Sequence, residues 1–551
     1  MNAGGIPNVS CALREMASRY PERTAVRKLG RRPSSMSFSE LEERSNRIAH
    51  GLRASGLNAG DRALLFVPPS PELICLTHGL FRMGAVPVLI DPGMGRRTFL
   101  ECVERTAPRA LFGIGKAQLA RRLFPRSFRG IELAVAVGKP ALGAVPLASI
   151  ERLGNAAGAV AIHDGAPDDP AAVLFTSGST GPPKGVVTTQ RVFNAQQRAL
   201  EELYTLEAGE VDVVCFPLFA LFDHALGMTS VFPDMDLTQP AKCNPQKIFQ
   251  AIEETGATFT FGSPAIWRRV LAFANTNGRR FSRLRRITIG GAPVPPWLLH
   301  GLRDLLPPGG DVHTPYGATE ALPVSSLSAR EMTDELRVRV ESGEGTCVGR
   351  PAPGIEIVLI PIVDTAIDSW REELRLARGE IGEICVRGDV ATLEYLLDPT
   401  ATRLAKIPYR RADGTTSAWH RMGDIGRFDG DGRLWFLGRK AHRLQTERGV
   451  LFPVPLENAF NVCGEVHRTA LVGVGENTRE RPHLIVELEP GARRAAVEAR
   501  LSRRSSELAE AASIEGFLFH KGFPVDVRHN AKIHRLELKR WAEQELASKG
   551  R

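Results

Sequence analysis

Along the N-terminal part of the chain the apolar positions switch between two spacings. In SFSELEERSNRIAHGL, residues 37–52, Leu41, Ile48, Ala49 and Leu52 recur at helical spacing, and Ser39 with Glu42 has the form of a capping box. The pattern predicts a helix that stops near Gly56. ALLFV at 63–67 and AVPVLI at 85–90 are short continuous apolar runs and predict buried strands with a helix between them. A second unit opens at Asn244, an N-cap with Pro245 in the first turn. It carries Ile248, Phe249 and Ile252, stops at Gly256, and leads into ATFTF at 257–261, a predicted strand. This alternation predicts an α/β fold with a mostly parallel arrangement. The texture changes near Gly438, Arg439 and Lys440, and the remainder is long enough for a small separate α+β domain. The predicted division is therefore a large domain over 1–438 and a small one over 439–551, ending in an amphipathic helix with Ile533, Leu536, Trp541 and Leu546.

Composition narrows the class. The 551 residues are 43% hydrophobic and 24% charged, which excludes disorder, collagen and coiled coil as descriptions of the whole. The eight cysteines are scattered without a C-x-x-C pair, which argues against a disulfide framework or a zinc site and fits a reducing compartment. The first residues, MNAGGIPNVSCALREM, lack the basic and apolar regions of a signal peptide, and no apolar run reaches the roughly 18 residues of a membrane span. A cytoplasmic protein without a transmembrane segment is expected. The net charge of +9 is spread over the whole chain, with basic stretches at 121–130 and from Arg268 to Arg286. Without a recognition motif these read as solvated basic faces rather than a nucleic-acid site, although they suit an anionic substrate or a membrane surface.

The chemistry concentrates in VLFTSGSTGPPKGVV at 173–187. Thr176, Ser177, Gly178, Ser179, Thr180 and Gly181 supply backbone N–H groups and hydroxyls that can approach an anion closely, and Lys184 adds charge. The spacing is not that of a Walker A loop, since the sixth position from Gly178 is Pro183. The stretch resembles, nearly letter for letter, the phosphate loop of adenylate-forming enzymes, which include acyl-CoA synthetases, luciferases and peptide-synthetase adenylation domains.

Further segments carry the same resemblance, in order, across nearly the whole chain. TPYGATE at 314–320 is similar to the family's adenine and magnesium motif. The resemblance implies that Tyr316 and Gly317 lie against adenine, Thr319 touches phosphate, and Glu320 holds Mg²⁺; GGAP at 290–293 implies the same neighbourhood for Gly291, Ala292 and Pro293. MGDIGRFDGDGRLWFLGRK at 422–440 implies Asp424 on the ribose hydroxyls, Arg439 on ribose and phosphate, and Lys440 at the hinge of a mobile C-terminal domain. RHNAKIHRLELKRW at 528–541 implies Lys532 as the adenylation lysine, with Ala531 where the family usually has Gly. ATP and Mg²⁺ are the cofactors so implied.

PVLIDPGMGRR at 87–97, FPLFALFDHALGM at 216–228, PDMDLTQPA at 233–241 and FGSPA at 261–265 resemble one branch, the β-lactone synthetases of bacterial long-chain olefin biosynthesis. The implied substrate is a 2-alkyl-3-hydroxy fatty acid, whose own hydroxyl attacks the adenylate, and the implied partners are a thiolase, a reductase and a decarboxylase. RGVLFPVPLE after Arg439 departs from the CoA-using members. A long-chain acyl-CoA ligase or an acyl-AMP ligase is the alternative enzyme; a scaffold without catalysis or a basic nucleic-acid binder is the alternative class. Two residues stay open. His224 is either a base for the β-hydroxyl or a structural histidine, and Trp267 either walls an acyl channel or belongs to the core.

Overall fold

The computed structural model describes residues 8–155, 161–175, 182–237, 239–411, 414–476, 479–525 and 533–549. The first predicted helix spans Phe38–Ala54, and its capping box is Ser37 with Glu40, two residues before the predicted pair. Glu40 N donates to Ser37 Oγ at 3.2 Å and Ser37 N donates to Glu40 Oε2 at 2.7 Å. Starting there puts Phe38 into the core beside Leu41, Ile48, Ala49 and Leu52, and frees Glu42 to pair with buried Arg82. The second unit forms as predicted: Asn244 Oδ1 accepts from Gln246 N and Lys247 N, and Gly256 closes the helix Pro245–Thr255 with a left-handed φ of +64°. Its strand begins two residues later than predicted, at Phe259–Gly262.

Among the described residues, seven strands form one sheet, in the order Val145–Pro146, Leu133–Ala136, Ala110–Gly113, Arg62–Phe66, Val86–Leu89, Pro170–Phe175, Gly185–Thr189. Every neighbouring pair is parallel except the last, where Phe175 lies opposite Gly185 in an antiparallel ladder.

A second sheet has fourteen strands among the described residues, and its two halves differ. From Thr24–Lys28 through Thr229–Phe232, Val211–Val213, Phe259–Gly262 and Arg286–Ile289 to Asp311–Ala318 the pairing is parallel. From Asp311–Ala318 onward, through Ala321–Ser328, Thr346–Pro351, Leu434–Arg439, Thr416–Phe428, Gly382–Gly388 and Ile355–Ile360, it is antiparallel. The expectation of a mostly parallel arrangement thus holds for the first 318 residues and gives way to antiparallel strands beyond them. Short turns such as Thr319-Glu320 replace the crossover helices that parallel pairing requires.

Leu434–Arg439 is the last strand of that sheet, and the strands after it form separate sheets. Val466–Val474 and Arg481–Leu488 pair antiparallel, and Gly516–Phe519 joins them in parallel. The final helix spans Arg535–Lys549. Its buried face is Leu538 and Ala542, with Trp541 and Leu546 against it, whereas Leu536 is 66% exposed and Ile533 precedes the helix. All eight cysteines are free thiols. No helix among the described residues is long and apolar enough to cross a membrane.

Candidate active site

The seam between the two halves of the large sheet is the hairpin Asp311–Ala318/Ala321–Ser328, whose two-residue turn is Thr319-Glu320. Tyr316 stands on its first strand, and its hydroxyl donates to Asp424 Oδ2 at 2.6 Å. Asp424 lies on Thr416–Phe428, directly opposite Arg439 in the next strand. Arg439 Nη1 is 3.1 Å from Asp424 Oδ1 and donates to Met422 O at 3.2 Å. The Arg439 contact falls outside hydrogen-bond geometry, so Asp424 Oδ1 is a buried carboxylate oxygen without a hydrogen-bond partner. Burial pushes the Asp424 carboxyl up against the opposing pull of Arg439. Asp424 in turn holds the Arg439 guanidinium above its ordinary value. The Tyr316 phenol is raised, first by burial and then by Asp424.

Glu320 is held from a different part of the chain. Tyr395 OH donates to Glu320 Oε1 at 2.9 Å, and Thr392 donates to the Glu320 carbonyl through N at 2.8 Å and Oγ1 at 3.2 Å. Glu320 Oε2 has no hydrogen-bond partner among the described residues. Lys184 Nζ lies 4.9 Å from the centroid of the Tyr395 ring, and Leu396 N donates to Gly185 O at 2.7 Å, so the strand leaving the glycine-rich loop is stitched to this segment. Beneath it Lys406 donates to the Thr392 carbonyl and, at 3.2 Å, to Thr392 Oγ1. Lys406 is 4% exposed, and burial pulls its ammonium down to about 7 against the raising influence of Glu320. His420, with Nδ1 3.3 Å from Ala405 O, is held well below its ordinary value by burial and by Lys406.

Sequence reasoning missed Thr392, Tyr395 and Lys406. GDVATLEYLLD at 388–398 has no periodicity to mark it. The available signal was Lys406 itself, a charge between Ala405 and Ile407 at the start of a strand.

The remaining predicted residues fall as follows. Gly291 begins a loop just beyond the strand Arg286–Ile289 with a φ of +90°, a conformation that favours glycine. At its neighbour Gly290 a Cβ would stand 2.9 Å from the Phe261 ring and 3.6 Å from Pro315, so this loop, which continues through Ala292 and Pro293, runs close beside the hairpin. Gly317 is exposed on the hairpin and Thr319 opens its turn. Thr176, Ser177, Gly178, Ser179, Thr180, Gly181 and Lys532 lie outside the described residues. Three residues after Lys532, Arg535 forms a two-pronged ion pair with Glu457, at 2.5 Å and 2.7 Å, and donates to Leu471 O. Lys440 donates to Val363 O at 2.8 Å and pairs with buried Glu383 at 3.1 Å, which also pairs with Arg421 at 2.6 Å.

His224 sits elsewhere. It is fully buried, its Nδ1 is 3.4 Å from His78 Nε2, and its Nε2 has no hydrogen-bond partner. Burial, then His78, holds it well below its ordinary value. Asp223 beside it accepts from Ser230 at 2.6 Å. None of these contacts reaches Tyr316, Glu320 or Asp424. Trp267 is likewise fully buried, within the cluster that includes Val270, Leu298 and Trp435.

The arrangement so far is an ion-paired carboxylate oxygen without a hydrogen bond, a second carboxylate oxygen without a protein partner, an aromatic face and several cations around one seam, which suits a nucleotide with its phosphates and a hard cation. Comparison with known proteins agrees. Residues 13–396 match the family described as AMP-binding enzyme. The chain is 44% identical over 98% of its length, and 98% of theirs, to proteins named olefin beta-lactone synthetase from Xanthomonas campestris pv. campestris and from Stenotrophomonas maltophilia. In fold it is similar to the amide bond synthetase McbA from Marinactinospora thermotolerans, with a TM-score of 0.78 at 21% identity over 97% of this chain and 99% of that one. It is also similar to O-succinylbenzoate coenzyme A synthetase from Bacillus subtilis in complex with ATP and magnesium ion, with a TM-score of 0.74 at 21% identity over 96% and 99%. The chain belongs to the AMP-binding, adenylate-forming enzyme family.

Proposed function

We propose that the protein joins ATP to a 2-alkyl-3-hydroxy long-chain fatty acid and closes the product to a β-lactone, releasing pyrophosphate and AMP. The observation that carries this reading is the 44% identity, over 98% of both chains, to two proteins named olefin beta-lactone synthetase. The fatty-acid carboxylate oxygen attacks the α-phosphorus, the bond to the β-phosphate oxygen breaks, and pyrophosphate leaves. The substrate's own 3-hydroxyl oxygen then attacks the acyl carbon, the bond to AMP breaks with its electron pair on phosphate, and the hydroxyl proton leaves to water. Holding hydroxyl and carbonyl in one bound molecule replaces a second substrate.

In this reading adenine lies against Tyr316 and Gly291–Pro293, while Asp424 takes the ribose hydroxyls through Oδ1, which is ion-paired to Arg439 but accepts no hydrogen bond. Arg439 pairs with ribose and phosphate oxygens. Thr176–Gly181 and Lys184 cradle the phosphates, Thr319 touches them, and Lys532 offsets the charge that builds as the adenylate forms. The unpartnered Glu320 Oε2, with Oε1 fixed by Tyr395, suits a hard cation. Bound Mg²⁺ would neutralise phosphate charge there. The substrate implies a supplier that joins two acyl chains and reduces a ketone, and the lactone implies a decarboxylating consumer, which are the thiolase, reductase and decarboxylase classes. A cytoplasmic location belongs to the same reading.

Exchange of labelled pyrophosphate into ATP tests the first half. The parent should catalyse it only with the hydroxy acid present, and Lys532→Ala and Asp424→Ala should each lower it by about a hundredfold or more. Unchanged exchange in Lys532→Ala would overturn that assignment.

A further inference from the structure

The two basic stretches have different fates in the fold. Between Arg268 and Arg286 the charges are largely used internally: Arg269 donates to Cys243 O, Arg280 to Asp304 O, and Arg285 and Arg286 pair with Glu210. The stretch around 121–130 is not used in this way. It belongs to the helix Gly115–Leu123 and the loops after it, at the edge of the seven-stranded sheet. Ala117 and Gln118 face inward, with Gln118 Nε2 donating to Val135 O at 2.9 Å. The outer face presents Leu119 and Leu123, one helical turn apart and 57% and 63% exposed. Arg121 donates to Gly143 O at 2.7 Å and so ties to this helix the loop that carries Leu142, 78% exposed.

On this helix and the loops that follow it, Lys116, Arg122, Arg126, Arg129 and Lys139 are all exposed, and none has an ion-pair partner among the described residues; Arg122 lies beside the loop bearing Leu142. The one acidic residue between 115 and 145 is Glu132, and it pairs with Arg109. Protruding aliphatic side chains on a segment rich in unpaired cations are the chemistry of an interfacial membrane contact: leucines enter the acyl boundary and the cations meet anionic headgroups. A nucleic-acid backbone would satisfy the cations but offers the leucines no apolar partner, and the exposed face carries no aromatic ring for base stacking.

We infer that this face, built by the Gly115–Leu123 helix and the loops bearing Arg126 and Leu142, docks the protein reversibly on an anionic phospholipid surface. The sheet order puts it at the edge opposite the strand Gly185–Thr189 that leaves the glycine-rich loop. Four ladder spacings, about 19 Å, separate Leu133–Ala136 from Pro170–Phe175, so docking leaves the nucleotide site clear.

Co-sedimentation of the full chain with vesicles tests the inference. The protein should pellet with phosphatidylcholine vesicles containing a quarter phosphatidylglycerol and stay in solution with pure phosphatidylcholine, and binding should weaken as salt rises. Arg122→Glu with Arg126→Glu should lower the vesicle affinity by about a hundredfold. Leu119→Ser with Leu123→Ser should lower it about tenfold. All four positions are exposed, so the thermal midpoint and the pyrophosphate exchange rate should stay at parent values. Equal binding to both vesicle types, no binding to either, or unaltered binding by both double variants would overturn the inference. So would tight RNA binding by the parent that the serine variant retains in full while vesicle binding is absent.

Discussion

Lys406 is a charge placed where water cannot reach it, and its cost has a sign that can be measured. Burial brings its ammonium down to about 7, while in the unfolded chain it titrates near 10.4. Between those values the unfolded state binds more protons, so the lysine's contribution becomes less unfavourable as pH rises and is most costly below about pH 7. The unfolding free energy of the parent relative to Lys406→Met should therefore climb from pH 7 to 10 in denaturant titrations; a flat difference would contradict the burial argument. His224 gives a second test at this scale. If its role is structural, facing His78 in the core, His224→Ala should cost about 2–4 kcal/mol of stability and leave lactone formation per folded molecule within about twofold of the parent. A collapse of the rate with stability intact would instead make it the base. That Tyr316, Asp424 and Arg439 meet, with Glu320 in the same hairpin as Tyr316, was legible in the sequence because each sits in a short motif that the family resemblance ties to one neighbourhood. Thr392, Tyr395 and Lys406 were not, because Tyr395 and Thr392 reach Glu320 from more than 70 residues away and Lys406 only supports Thr392, contacts that leave no local pattern.

At the scale of elements, buried ion pairs fix how segments meet. Glu383 on Gly382–Gly388 gathers Arg421 from the neighbouring strand and Lys440 from just beyond the large sheet. Glu383→Ala would leave the Arg421 guanidinium buried without its acid and should cost about 3–5 kcal/mol in equilibrium unfolding. A loss under 1 kcal/mol would show that water or backbone carbonyls already satisfy Arg421. Glu457 and Arg535 pin the start of the last helix three residues after Lys532. If that pin positions the lysine, Glu457→Ala should lower pyrophosphate exchange about tenfold with little change in the KM for ATP, and an unchanged rate would separate the pin from the chemistry. Helix positions were readable from apolar spacing, but the first cap was not, because Ser37 and Ser39 both precede a glutamate by three residues. Burial of Phe38 decided between them.

At the scale of the molecule, two sheets share the work. The parallel half, with its helices, was legible as short apolar runs between amphipathic segments; the antiparallel half was not. Its strands, such as Thr416–Phe428, set buried Arg421 and Asp424 among core residues such as Trp419 and Met422, each charge held by an ion pair from another strand, and that mixture hides the apolar pattern. The glycine-rich loop follows one sheet, and the hairpin carrying Tyr316 and Glu320 stands at the seam of the other. Tyr395 bridges them, bonded to Glu320 with its ring under Lys184. A nucleotide held at this junction would touch both.

The most direct test of the proposed reaction is proton NMR of the products from purified protein, Mg-ATP and a synthetic 2-alkyl-3-hydroxy long-chain acid, run with and without CoA. The account predicts β-lactone ring protons growing at the same rate in both samples, with one AMP and one pyrophosphate per ring. A thioester formed only when CoA is present, with no ring signals in either sample, would contradict it.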